Sequence, residues 1–173
     1  MMLKIRNQTK IVKHMFVMFF VNHLCDGAYL FELKRWLLNG IGYSLGEGTK
    51  VVGPIYCGAK LKTGSNCWFG RNLTIHGNGT VELGDNCDVG KNVTFLTGVH
   101  AEGSPEYVKE GQKSSVFVGE GSWIGPGATL GRNLVIGKGC MVLADSCVLK
   151  NMPDNTLIGG VPARIVRKID EEL

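Results

Sequence analysis

The chain predicts an all-β fold: a parallel β-helix of six-residue repeats, with a helical segment in front and one long loop interrupting it. Three observations predict it. Glycine supplies 25 of the 173 residues, about double its average usage of roughly 7%, and proline is too scarce for a collagen or a Pro/Gly-rich disordered chain. Small or apolar residues recur every sixth position at Leu45, Val51, Cys57, Thr63, Phe69, Ile75 and Val81. The ladder resumes at Leu83, Val89 and Phe95, and again from Val118 through Ile124, Leu130, Ile136 and Val142 to Val148. Glycine directly follows many of these positions, as at Gly46, Gly64, Gly84, Gly119 and Gly137.

Six is a multiple of the strand period of two, so each unit can be a short strand whose alternate residues face inward, followed by a corner that glycine turns without a Cβ clash. The residue four after each ladder position is a second inward site, as at Ile55, Leu61, Cys67, Leu73, Val93 and Leu134. Successive coils then stack at about 4.8 Å and bury a continuous apolar column. A six-residue period drifts around a helix of 3.6 residues per turn, which excludes a helical bundle. With 44% apolar and 20% charged residues, the chain is rich enough for one sizeable core.

Residues 1–40 form the first element. Ile11 to Leu38 reads as one or two amphipathic helices, and its longest apolar run, Met15 to Val21, ends at Asn22 and His23. That is far short of the roughly 20 residues that span a bilayer. The favoured reading is a cap over the end of the repeat or over a neighbouring subunit. The other is peripheral contact of residues 11–38 with an anionic membrane surface. Lys4, Arg6, Lys10, Lys13, Lys34 and Arg35 against Asp26 and Glu32 give this segment the whole net charge of +4. The rest is balanced, so no nucleic-acid surface is expected. Six cysteines without a CxxC pair and no visible cleavable leader point to reduced thiols in the cytoplasm.

Residues 41–153 are the β-helix, interrupted by a loop over residues 99–115, and residues 154–173 are a C-terminal extension. The gap from Phe95 to Val118 is not a multiple of six, so the chain leaves the coil there and returns. His100 sits at the start of this excursion, where rigid scaffolds tend to hold functional groups. An imidazole with a pKa near 6.5 can accept a proton from a hydroxyl at neutral pH. His76 lies one after a ladder position and reads as an outward wall residue.

The Leu/Ile/Val-Gly-x4 repeat resembles the hexapeptide-repeat acyltransferases, which are left-handed parallel β-helices. The stretch from Asn72 to His100 and the stretch SWIGPGATLGRNLVIGKGCMVLADSCVLKNMPDNTLIGGVPARIVRKI are similar to the galactoside, maltose and nodulation acetyltransferase branch. The resemblance implies acetyl-CoA as co-substrate, His100 as general base, and a homotrimer with active sites between subunits. It places Trp123, Ala144, Lys150, Arg164 and Arg167 along the coenzyme A groove, the cations suiting phosphate oxygens. Asn78 and Trp68 are acceptor-side candidates, able to hydrogen-bond a sugar hydroxyl or stack on a pyranose.

The expected activity is acetyl transfer to a hydroxyl of a sugar or polysaccharide precursor. Within the class, an amino-sugar or an antibiotic is the alternative acceptor. Gly70 and Asn78 replace the asparagine and aspartate of the galactoside enzymes, and no proline follows His100, so the departures fall on the acceptor side. Two other classes are a non-catalytic solenoid and a γ-carbonic-anhydrase-type metalloenzyme. The latter needs three histidines, and the repeat holds His76 and His100 alone, so no metal is expected.

Overall fold

Short parallel strands stack into three sheets that wall a triangular prism. The structure is a computed structural model that describes residues 2–99 and 112–169, with side chains described for residues 8–98 and 114–169. Face 1 is built from Lys60–Thr63, Thr80–Leu83, Ser115–Val118 and Leu134–Ile136. Face 2 stacks Lys50–Val51, Trp68–Phe69, Asp88–Val89, Trp123–Ile124, Met141–Val142 and Thr156–Gly160, and Ala163–Lys168 folds back antiparallel on its last edge. Face 3 holds Ile55–Cys57, Leu73–His76, Thr94–Leu96, Thr129–Leu130 and Cys147–Val148. The chain visits faces 1, 2 and 3 in turn and climbs one rung per circuit, as the repeat predicts, in the left-handed parallel β-helix that the family resemblance implies.

The period-six ladder forms the core. Its residues are buried throughout except Cys57 and Thr63, which are half-buried, and the second inward positions are buried as well. In-register columns such as Val51, Phe69, Val89, Ile124 and Val142 on face 2 bury apolar surface from rung to rung. All six cysteines are free, four of them buried.

The corners are divided differently from the sequence expectation. The left-handed residue of a corner lies two positions after the glycine that follows the ladder, and it is often asparagine: Asn66, Asn72, Asn86 and Asn92 all have φ between 57° and 60°. Asparagine tolerates that conformation because its short polar side chain bonds locally. Here the side chains also link rungs, with Asn72 Nδ2 donating to Asn92 Oδ1 at 2.9 Å. The preceding glycine serves close stacking instead. A Cβ on Gly119 would lie 2.5 Å from the Lys138 backbone nitrogen of the next rung.

Two helices close the first coil. Helix α1 is Met2–Phe19, continued by a wider π-helical turn at Phe20–Leu24, and α2 is Phe31–Asn39. Val17, Val21 and Leu38 are buried in the same core as Val51 and Ile55. The first rung is a sheet edge, with backbone groups that no strand pairs. Side chains from the helical segment take them up. Asn22 accepts from the Ile55 N–H and donates to its carbonyl at 3.0 and 2.9 Å. Lys34 is wholly buried and donates to the carbonyls of Gly27, Val51 and Val52 at 2.5, 2.9 and 2.8 Å. An ammonium has three protons and no acceptor, so these three carbonyls match its capacity.

Candidate functional site

The loop leaves the prism at the corner between faces 3 and 1, and its base is tightly specified. Thr97 is fully buried. Its hydroxyl donates to the His76 carbonyl at 2.8 Å and accepts from the Gly79 N–H at 3.1 Å. Gly98–Val99 then pairs antiparallel with Gln112–Lys113, Val99 opposite Gln112, so the two arms leave as a short ladder. Beneath it lies the Gly77–Asn78–Gly79 corner of the previous rung. A Cβ on Gly79 would collide with the Ser114 carbonyl oxygen, so side chains are excluded where the arms seat. The Ser114 hydroxyl is buried with no hydrogen-bond partner among the described residues.

His100 follows Val99 directly in the chain and lies outside the described residues, as does most of the predicted loop 99–115. Asn78 is exposed at the corner below the loop base, and His76 is exposed on the end of its face 3 strand. Lys150 is exposed at the same corner of the prism, on a later rung.

The remaining residues gather around face 2. Trp68 and Trp123 both pair with Asp88, one from each side, so the three form an outward column with the carboxylate between the indoles. Trp68 also meets the ring of Phe31 from α2, with centroids 5.6 Å apart. That contact gives Trp68 a role in seating the helix. Trp123 is 40% exposed. Arg164 and Arg167 lie on the folded-back strand at the upper edge of the same face, both exposed. Each guanidinium donates to a neighbouring main-chain carbonyl, Ala163 for Arg164 and Lys168 for Arg167, both at 2.9 Å. Neither is held in an ion pair among the described residues. Ala144 is exposed at the corner between faces 2 and 3.

One chain therefore brings Trp123, Arg164 and Arg167 onto one face with Ala144 at its margin, and puts Asn78, Lys150 and the loop base at a different corner. Ala144 and Lys150 are six residues apart across face 3, a separation of at most about 20 Å for an extended chain. Asp88 was not singled out in the sequence. It is an outward position with no motif of its own, and the signal that could have found it is its place one residue before a ladder position, which Trp68 and Trp123 share. Partial burial raises its carboxyl pKa above the ordinary value. Among the described residues no three His, Cys, Asp or Glu side chains gather as a metal site, and no helix is long and apolar enough to cross a membrane.

No family model matches the chain. It is 34% identical over 150 residues to galactoside O-acetyltransferase of Escherichia coli (strain K12), covering 81% of this chain and 70% of the relative. A serine acetyltransferase of Bacillus pumilus (strain SAFR-032) is 32% identical over 136 residues, 76% of this chain and 60% of that protein. Among solved structures, a galactoside acetyltransferase in complex with coenzyme A superposes with a TM-score of 0.79 at 27% identity, covering 95% of this chain and 82% of that one.

Proposed function

The chain belongs to the hexapeptide-repeat acetyltransferases, and from that premise we propose that it moves an acetyl group from acetyl-CoA to a hydroxyl of a sugar or polysaccharide precursor. The observation that supports this reading is the division of the family-matched residues between face 2 and the loop-bearing corner. In a closed ring of identical copies the interface joins two different patches of the same chain. A homotrimer would thus bring the loop of one copy against face 2 of the next and complete a groove.

In that groove Trp123 and Ala144 line the donor, while Lys150, Arg164 and Arg167 meet its phosphates through charge-assisted bonds. Asn78 and Trp68 face the acceptor. His100 takes the proton of the acceptor hydroxyl as its oxygen attacks the thioester carbonyl. The new C–O bond forms, the C–S bond breaks, and the imidazolium returns the proton to the departing thiolate. No acyl-enzyme is involved. Holding both substrates in one groove lowers the entropic part of the barrier.

The test is a panel of galactosides, other sugars, amino-sugars and serine incubated with labelled acetyl-CoA. Label is expected in an alkali-labile ester on a sugar hydroxyl. An alkali-stable amide would move the acceptor to an amine, and transfer to serine alone would remove the sugar.

A further inference from the structure

Helix α1 has two apolar faces, and the body of the protein uses one of them. Val17 and Val21 point into the core. Ile11, Val12, Met15, Phe16 and Phe19 fall at i, i+1, i+4, i+5 and i+8, which on a 3.6-residue helix is one continuous arc on the opposite side. That arc is uncovered: Val12, Met15 and Phe16 are 65%, 66% and 72% exposed. The same helix carries Lys4, Arg6, Lys10 and Lys13 and no acidic residue; Lys10 is exposed, while Lys13 donates to the Gly40 carbonyl at 2.8 Å.

We propose that this outer face of α1 docks on the surface of an anionic lipid bilayer, with the helix in the plane of the interface. Apolar side chains buried at the headgroup boundary, on a helix whose excess of basic over acidic residues favours an anionic surface, are what such binding needs. Charge favours lipid over a second copy of the same face, because pairing α1 with α1 would set four cations against four. The surface is independent of acetyl transfer, and it would hold the prism beside acceptors carried on lipid.

The experiment is flotation of the full chain with vesicles of phosphatidylglycerol and phosphatidylcholine, and with phosphatidylcholine alone. Wild type is expected to float with the anionic vesicles, less so in high salt. Phe16→Ser with Phe19→Ser is expected to weaken binding by about tenfold or more at unchanged melting temperature and coenzyme A affinity. Lys10→Glu, on an exposed side chain, reads the charge contribution if the double variant folds poorly. Failure to float, equal binding to neutral vesicles, or indifference to both sets of substitutions overturns the proposal. A drop in the oligomeric mass of the lipid-free double variant also overturns it, by assigning the face to contact between copies.

Discussion

Replacing His100 with alanine is expected to lower the rate of acetyl transfer by about 10²–10⁴-fold, the contribution of a well-placed general base. A hydroxyl is a poor nucleophile until its proton is being removed, and a neutral imidazole can accept that proton. The wild-type rate is expected to fall toward acid pH, because the imidazolium has no lone pair to offer. Affinity for coenzyme A should change little, since the substitution leaves the candidate phosphate contacts Lys150, Arg164 and Arg167 in place. Steady-state kinetics with calorimetric titration of coenzyme A check both parts. An unchanged turnover in a folded His100→Ala protein would remove this residue from the mechanism.

Replacing Lys34 with methionine is expected to cost about 2–5 kcal/mol of stability, read by chemical denaturation. Methionine keeps most of the stem volume and removes the donors. The Val52 carbonyl retains the Gly27 N–H at 3.1 Å, whereas the carbonyls of Gly27 and Val51 lose the ammonium, and an orphaned buried acceptor costs about 1–3 kcal/mol. Burial also lowers the Lys34 pKa from its ordinary value of 10.5. Between the lowered value and 10.5 the unfolded chain binds more protons than the folded one, so this group's contribution to stability rises with pH there. The difference between wild type and Lys34→Met should therefore widen as pH rises through that window. A variant as stable as wild type would show that the helices seal the first coil without this lysine.

The rungs were legible because burial imposes a period of two on a strand and the coil imposes a period of six, and Phe69, Val89, Ile124 and Val142 obey both. The corners were legible only in part. The repeat points to glycine as the turning residue, yet at corners such as Asn66 and Asn86 asparagine adopts the left-handed conformation, and Gly119 is needed because the next rung passes too close for a Cβ. Neither requirement shows in a period alone. The capping role of Lys34 was invisible, since a lysine in an amphipathic helix reads as a solvated charge until tertiary structure places carbonyls around it. In the candidate site, motifs named Trp123, Arg164 and Lys150 together. Spacing gives a residue's rung and face and carries no information on which copy completes the groove, so the separation of Lys150 from the other two emerged only in the fold.

Co-expression of two inactive chains tests the shared groove most directly. One carries His100→Ala, and the other carries Arg164→Ala with Arg167→Ala, so that each retains the half that its partner lacks. If one copy supplies the base and the next supplies the phosphate contacts, random mixing at equal amounts leaves about one site in four with both halves intact, and acetyl transfer should recover to about a quarter of wild type. Mixed assemblies that stay as inactive as either parent would contradict a groove built from two copies.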